Sequence, residues 1–559
     1  MRPTPTGTTA SVTPTPTPRP SSTPTATSSP EPEPIAQEGG QSIGDARAPE
    51  LGNTGYDVQS YLLALTVEPD EQSIHGTTTI EAVATLAHLG RLSLDFIGLE
   101  IEHLTVDGVE APFQRHDNKL IVDLPRPLGL GETFYIAVTY GGQPQLWPSP
   151  YLSFIPLGLH FTQDAIYAMA EPDGARTWFP CNDHPRDKAL FRYEITVPQG
   201  YVVAANGLPQ ATIDGESTTT FWWQHGSPMA TYLATIAVGH FQIIEGTAAS
   251  GIPLWHYVPA ELLAPAQELL GRTGEMIGFL ESFFGPYPFE SYGHAVVPMN
   301  GVSMETQTLT LLDAGVVSSG AEWVMVHELA HQWFGDSVGP ASWSDIWLNE
   351  GFAVYASWLW AEAHSPDDLR WQLDAAEAQA PNADPGEPLA DPSADQLFGF
   401  NSYIKGAWVL RMLQHQIGDE LFFDVLRAYH ERFEGGVAST DDLKTIVEEI
   451  SGQELDWFFE QWVYGTGMPE LIVNWQQLPD NTLSVQICQR QPAPFLFPLS
   501  LLSTDQSANS AVETIVVDQV DERFSWSLPF AAQSVQVDPQ QHLLAQVTVQ
   551  QAEVFVDCP

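Results

Sequence analysis

The stretch Val326-His327-Glu328-Leu329-Ala330-His331-Gln332-Trp333-Phe334-Gly335-Asp336 decides how the rest of the chain is read. Its apolar residues sustain a helix, Ser319 and Glu322 have the spacing of a capping box at its start, and Gly335 is placed to stop it. On such a helix His327 and His331 stand at i and i+4, so both imidazoles leave one face and can grip one metal ion. Glu328 follows the first histidine and points past the ion, where a carboxylate can take a proton from an attacking water. A third donor is available in Trp347-Leu348-Asn349-Glu350-Gly351-Phe352-Ala353, whose Glu350 lies nineteen positions after His331. That interval lets one helix finish, a loop turn back and a second helix present its carboxylate to the first. Two histidines, a glutamate and an open fourth position are a donor set for one catalytic Zn2+.

Outward from this centre the hydrophobic period changes twice. From about residue 56 to residue 242 the chain runs in short alternating segments, such as Phe134-Tyr135-Ile136-Ala137-Val138-Thr139-Tyr140, punctuated by Gly, Pro, Asn and Asp, which predicts an antiparallel β domain. Beyond residue 261 helical stretches are expected at 261–284, 320–334, 347–362, 403–416, 420–432 and 440–464. After Gly465-Thr466-Gly467-Met468-Pro469 the chain returns to β-like segments. A chain of 559 residues is too long for one core. The expected organisation is multidomain α+β, with a disordered linker over 1–49, an N-terminal β domain over 50–245, a mainly helical metal-binding domain over 246–466 and a small C-terminal β domain over 467–559.

Residues 1–34 hold ten prolines, ten threonines and five serines, a composition that favours extended polyproline-like chain over a packed core. It suits a stalk between a cell surface and a folded body, so an extracellular or cell-surface setting is expected, with a cytoplasmic one as the alternative. No apolar core of a signal peptide is visible, and an upstream segment is expected. No stretch approaches the roughly 20 apolar residues of a membrane helix. The net charge of −50 comes from 70 acidic residues against only 20 Lys plus Arg. Such a chain lacks the clustered cations that bind nucleic acid or anionic lipid. Halophily is a second source of a negative balance, although it raises the acids and does not merely deplete the bases. Of the three cysteines, Cys181 reads as a buried structural residue, while Cys488 and Cys558 are either bridged or two free thiols.

His-Glu-x-x-His followed by the distal glutamate, inside His-Glu-Leu-Ala-His-Gln-Trp-Phe-Gly-Asp and Trp-Leu-Asn-Glu-Gly-Phe-Ala, resembles the aminopeptidase N-like family of zinc metallopeptidases over residues 50–559. The resemblance implies a saddle-like N-terminal β domain, a thermolysin-like catalytic domain and a short C-terminal β-sandwich, without the large C-terminal helical domain of longer members. It implies hydrolysis of the N-terminal peptide bond of peptides with a free amino end. The family's Gly-x-Met-Glu-Asn loop corresponds to Val302-Ser303-Met304-Glu305-Thr306, which makes Glu305 the amine anchor and Ser303 and Met304 its substrate-lining neighbours. Val302 and Thr306 depart from the family's glycine and asparagine. A second amine-binding acid is Glu171, in Ala170-Glu171-Pro172-Asp173-Gly174-Ala175-Arg176-Thr177-Trp178-Phe179-Pro180, where Met169 replaces the family's glutamine. Tyr403, in Tyr403-Ile404-Lys405-Gly406, matches the tyrosine that donates to the oxyanion.

Three other readings compete. A thermolysin-like endopeptidase shares the metal set but needs no free amine, and Glu305 and Glu171 argue against it. An epoxide hydrolase of the bifunctional branch is disfavoured by the absent helical domain. A catalytically inactive binding protein would be expected to have lost donors that are all present here. Oligomeric state is left open.

Overall fold

Alternation becomes burial in the strand Tyr56–Glu68, where Tyr61, Leu63, Leu65 and Val67 enter a core and their neighbours stay half exposed. In the computed structural model, which describes residues 10–13, 36–383 and 386–558, this strand lies inside an eight-stranded sheet, antiparallel to Ser73–Ala84 and parallel to Leu190–Pro198. A register shift between Val58 and Ser60 lets Val58 and Tyr61 both face inward although an odd number of positions separates them. Two four-stranded sheets complete the β-rich N-terminal region. One of them contains Ala165–Met169, the strand that runs into Glu171.

Most of the expected stalk lies outside the described residues. Its continuation to residue 49 is corrected: Gln37–Glu38 pairs parallel with Leu89–Asp95, and Ala48 is fully buried. Asp45 is the reason this segment is pinned. Its carboxylate accepts from His184 Nε2 at 3.0 Å, Ser342 Oγ at 3.1 Å and the Trp343 amide at 2.8 Å. A buried carboxylate so fully satisfied clamps the segment between β-rich and helical parts.

The central region carries ten α-helices among the described residues: α1 Leu263–Leu270, α2 Thr273–Phe284, α3 Ala314–Ser319, α4 Glu322–Ala330, α5 Trp347–His364, α6 Pro366–Ala383, α7 Gly406–Ile417, α8 Asp419–Phe433, α9 Thr440–Ser451 and α10 Asp456–Trp462. It is less purely helical than expected. Strands Phe241–Thr247, Pro253–Pro259, Tyr292–Val297 and Thr310–Asp313 form a mixed sheet whose last three strands are parallel. Tyr292–Val297 is buried at every position, as a strand covered on both faces must be. Its residues alternate between two cores. Tyr292 and Val296 join the core of the helices and the C-terminal sheets. Ala295 and Val297 join that of the N-terminal β region.

Other expectations are also modified. Ser319 does not cap α4; its hydroxyl donates to the Val316 carbonyl at the end of α3, and Gly320 in the left-handed region turns the chain. Glu322 instead accepts from Arg272 and from Trp360 Nε1. The helix ends at Ala330, and Gly335, with φ of +129°, shapes the turn that follows. The stretch expected at 440–464 is two helices, and α6 was not anticipated.

After α10 the chain forms a four-stranded and a three-stranded sheet. Cys488 and Cys558 are joined there by a disulfide, and Cys181 is buried and free. Among the described residues, no helix is long and apolar enough to cross a membrane.

Candidate active site

α4 and α5 bring three donors to one point. His327 Nε2 lies 3.2 Å from His331 Nε2, and Glu350 Oε2 lies 3.4 and 3.5 Å from those two nitrogens. Ligand atoms bound tetrahedrally to zinc at 2.0–2.2 Å are about 3.3–3.5 Å apart, so this triangle already has the dimensions of a zinc site. His331 Nδ1 is 3.2 Å from the Phe334 carbonyl, a partner that keeps Nδ1 protonated and leaves Nε2 to bind metal. The electrostatics favour a cation. Burial alone lowers the basicity of His331, yet the charges of Glu305 and Glu350 push it up to about 10.

Two close approaches set this geometry. A Cβ on Gly335 would meet the Asn349 amide at 3.2 Å and His331 Nδ1 at 3.3 Å, so only glycine lets the turn after α4 touch α5. A Cβ on Gly351 would sit 2.9 Å from the backbone of Gly406, so α5 and α7 cross with their main chains nearly in contact. That crossing carries Tyr403, on a single turn of π-helix at Asn401–Lys405, to the mouth of the cluster. Its ring lies parallel to that of His327 with centroids 6.2 Å apart. Burial and the nearby Glu350 raise its hydroxyl well above the usual value, so it stays a donor.

Glu328, 6% exposed, lines the same cleft. Burial, then the charge of Glu305, pushes its carboxyl well above the ordinary range. Glu171 and Glu305 enter from separate loops. Their oxygens and one of Glu350 lie within 4.8 Å of one another. Glu171 Oε1 and Glu305 Oε1 are buried and have no hydrogen-bond partner among the described residues. Burial and then the charge of Glu305 raise Glu171 well above its usual value. Ser303 and Met304 also line the cleft, a cavity of about 310 Å³. Ser303 Oγ accepts from the Asp313 amide, and the Met304 backbone pairs with Leu311. Thus all nine candidate residues, His327, Glu328, His331, Glu350, Glu171, Ser303, Met304, Glu305 and Tyr403, converge on one cleft.

A supporting residue was missed. Gln332, fully buried, donates from Nε2 to the Glu305 carbonyl at 2.9 Å and to Asp336 Oδ2 at 2.7 Å, while its Oε1 accepts from the Thr308 amide at 2.8 Å. It therefore braces the Glu305 loop directly against the histidine helix. The available signal was an uncharged polar side chain between His331 and the apolar pair Trp333-Phe334.

Comparisons with known proteins agree with this geometry. A family profile described as the peptidase M1 N-terminal domain matches residues 57–233, and one described as the peptidase family M1 domain matches residues 270–462. Aminopeptidase M1-A of Oryza sativa subsp. japonica is 32% identical over 346 residues, 57% of this chain and 38% of the rice protein. Glutamyl aminopeptidase of Rattus norvegicus is 32% identical over 337 residues, 55% and 35% of the two chains. The matches thus span under two fifths of these longer relatives. An M1 zinc metallopeptidase from Deinococcus radiodurans, solved as a mutant with a Tyr-Ser-Ala substrate, superposes with a TM-score of 0.70 at 34% identity. The superposition covers 77% of this chain and 99% of that one. Legionella pneumophila aminopeptidase A shares the fold at 20% identity, with a TM-score of 0.77 over 89% of this chain and 60% of that one.

Proposed function

Because this chain belongs to peptidase family M1, we propose that it is a zinc-dependent aminopeptidase that cuts the first peptide bond of peptides, with His327, His331 and Glu350 holding one Zn2+. The observation that carries the proposal is the pair of buried, unpartnered oxygens on Glu171 and Glu305 beside the donor triangle. Two facing carboxylates are costly in a dry site unless a cation joins them. The ammonium of a peptide N-terminus supplies that charge and three donors, and its charge-assisted bonds decide which carbonyl reaches the reacting position.

Bound at the triangle, zinc would supply a Lewis acid that polarises the carbonyl to be cut and acidifies the attacking water. Glu328 accepts the proton of the attacking water at its carboxylate and returns it to the leaving nitrogen, a role that its raised basicity suits. Tyr403 donates its O–H to the oxygen that becomes negative as the carbonyl turns tetrahedral. Gln332 holds the Glu305 backbone so that the amine end and the attacked carbon keep one spacing. The Deinococcus relative, described with a Tyr-Ser-Ala substrate, supports a short peptide with a free amine as the kind of ligand.

Within this reading the N-terminal sheets are the saddle-like domain, the central region is thermolysin-like and the two C-terminal sheets make a β-sandwich. The Cys488–Cys558 disulfide supports an oxidising, extracellular setting, with the Pro/Thr/Ser-rich segment as a surface stalk. The test of function is mass spectrometry of two peptides of one sequence, one with a free amine and one N-acetylated, with and without a zinc chelator. Stepwise trimming of the free peptide alone, abolished by the chelator, is the expected result. Internal cleavage of both would move the protein to the endopeptidase reading, and cleavage of neither would leave a binding protein.

A further inference from the structure

The two acids that face the amine end come from different parts of the chain. Glu171 follows the strand Ala165–Met169 of the N-terminal β region, whereas Glu305 sits on the loop between Tyr292–Val297 and Thr310–Asp313. Their separation is therefore set by whatever holds that loop against the β region. Gln332 braces the loop from the histidine helix, and a second set of bonds reaches it from the β side.

Directly after Glu305 the chain makes the turn Thr306-Gln307-Thr308-Leu309, closed by the Leu309 amide on the Thr306 carbonyl at 2.9 Å. Thr308 sits in it with φ of +68°, a left-handed value that a β-branched residue adopts only where its surroundings impose it. The N-terminal β region supplies three bonds that do so. The Gly207 amide donates to Thr308 Oγ1 at 2.7 Å, Asn206 Nδ2 donates to the Gln307 carbonyl at 2.6 Å, and Gln307 Nε2 donates to His225 Nε2 at 2.6 Å. His225 and Gln307 are both buried. His225 can accept at Nε2 because its other nitrogen is committed. Nδ1–H donates to Glu290 Oε1 at 2.8 Å, and the same oxygen accepts from the Gly226 amide at 2.8 Å. Burial raises Glu290, but the bonds from His225 and Gly226 outweigh it and hold the carboxyl below its usual value, so it stays an acceptor. Gln307 Oε1 has no hydrogen-bond partner among the described residues, so the amide is oriented by His225 and by a longer contact with the Pro228 carbonyl at 3.4 Å.

We propose that His225, fixed by Glu290, is a positioning residue for amine recognition: through Gln307 it holds the strained turn beside Glu305 and so sets the gap between Glu305 and Glu171. This rests on the aminopeptidase reading above, which assigns the ammonium to that gap. Both carboxylates must reach one nitrogen, and a turn that relaxes away from a left-handed φ carries the Glu305 backbone with it. Glu290, His225 and Gln307 do not line the cleft, and the metal donors stand on α4 and α5. Loss of the link therefore weakens the hold on the amine and leaves the metal site as it is.

The test compares two small inhibitors and the turnover of Leu-Ala-Ala on the wild type, His225→Ala, Gln307→Met, the double variant and His225→Gln. 3-Methylbutylamine carries an ammonium and a leucine-like side chain but no peptide bond, whereas acetohydroxamate chelates zinc and has no amine. His225→Ala and Gln307→Met should each raise KM for Leu-Ala-Ala and Ki for 3-methylbutylamine about tenfold, with a smaller fall in kcat. Both should keep bound zinc and an unchanged Ki for acetohydroxamate. The double variant should be no worse than either single one, because both cut the same link. His225→Gln, whose Oε1 can accept in place of Nε2, should stay near the wild-type values. The positioning role is overturned by an unchanged amine Ki in the single variants, by equal weakening of both inhibitors, by additive losses in the double variant, or by His225→Gln as impaired as His225→Ala. If His225→Ala does not fold, the ratio of the two Ki values in Gln307→Met decides. Each of those results leaves the aminopeptidase reading standing. A wild type that 3-methylbutylamine does not inhibit, and that cuts N-acetylated Leu-Ala-Ala as fast as the free peptide, overturns that reading and the positioning role with it.

Discussion

Glu350 and the pair Glu171 and Glu305 are carboxylates of similar burial, with oxygens within 4.8 Å of one another, yet their surroundings act in opposite directions. Burial raises all three. At Glu350 the positive charge of His331 and the hydrogen bonds of both histidines outweigh it and hold the group at about 2. At Glu171 burial and a like-charged neighbour combine, and the group is pushed well above its usual value. The histidine side of the cleft is completed by partners within the chain, whereas on the opposite side Glu171 Oε1 and Glu305 Oε1 have no hydrogen-bond partner among the described residues. The lesson is that burial alone says little about a site's role, and the partner that is present or lacking says much.

The contrast is broken most severely on the histidine side. Glu350→Ala should take bound zinc, measured by elemental analysis, from one per chain toward none and lower turnover at least about 10⁴-fold. Glu328→Gln should keep the zinc and still lose about 10²- to 10⁴-fold in kcat; retention of zinc with a near-normal rate would sink the assignment of the base. Tyr403→Phe, which removes one hydroxyl and leaves the ring against His327, should cost about 10²- to 10³-fold in kcat with zinc intact. On the opposite side Glu305→Gln should keep zinc and lower kcat/KM about 100-fold, the value of one charge-assisted hydrogen bond. That variant sharpens the comparison if its loss appears with free-amine peptides alone.

The smallest effect tests a carboxylate outside the cleft. The hydrogen bond from His184 and two backbone amides outweigh burial and hold Asp45 well below the usual carboxylate range. A depressed folded-state value means that its contribution is complete above about pH 4, the unfolded value, and is lost as pH falls below it. Asp45→Asn should therefore destabilise the protein by about 1–3 kcal/mol in urea unfolding at pH 7. The gap from wild type should narrow at pH 3.

The site was more legible than the fold around it. His327, His331 and Glu350 could be grouped because helical spacing places the first two, and one short loop suffices to bring the third. The strands Tyr292–Val297 and Thr310–Asp313 were not read because every position is buried, so no alternation marks them. α6 was missed although Leu369, Leu373, Ala376 and Ala380 form its buried face, because alanines among acidic residues give a weak apolar stripe. Asp45 was hidden by its position beside a segment of linker composition, and its partners His184 and Trp343 lie far along the chain.

By itself the sequence determined the helix pair that carries His327, His331 and Glu350, the place of Glu328 beside the first histidine, and the order of β-rich, helical and β-rich regions. These depend on residue spacing over a few helical turns and on the period of apolar residues, which backbone hydrogen bonding enforces locally. Only the tertiary structure decided that Glu171 meets Glu305 with an unpartnered oxygen on each, that Gln332 ties the Glu305 loop to the histidine helix, and that α6 walls an aromatic recess beside His327. Those placements come from elements remote in the chain. They follow from two hydrophobic cores sharing the opposite faces of one central sheet, a packing outcome that no local pattern encodes.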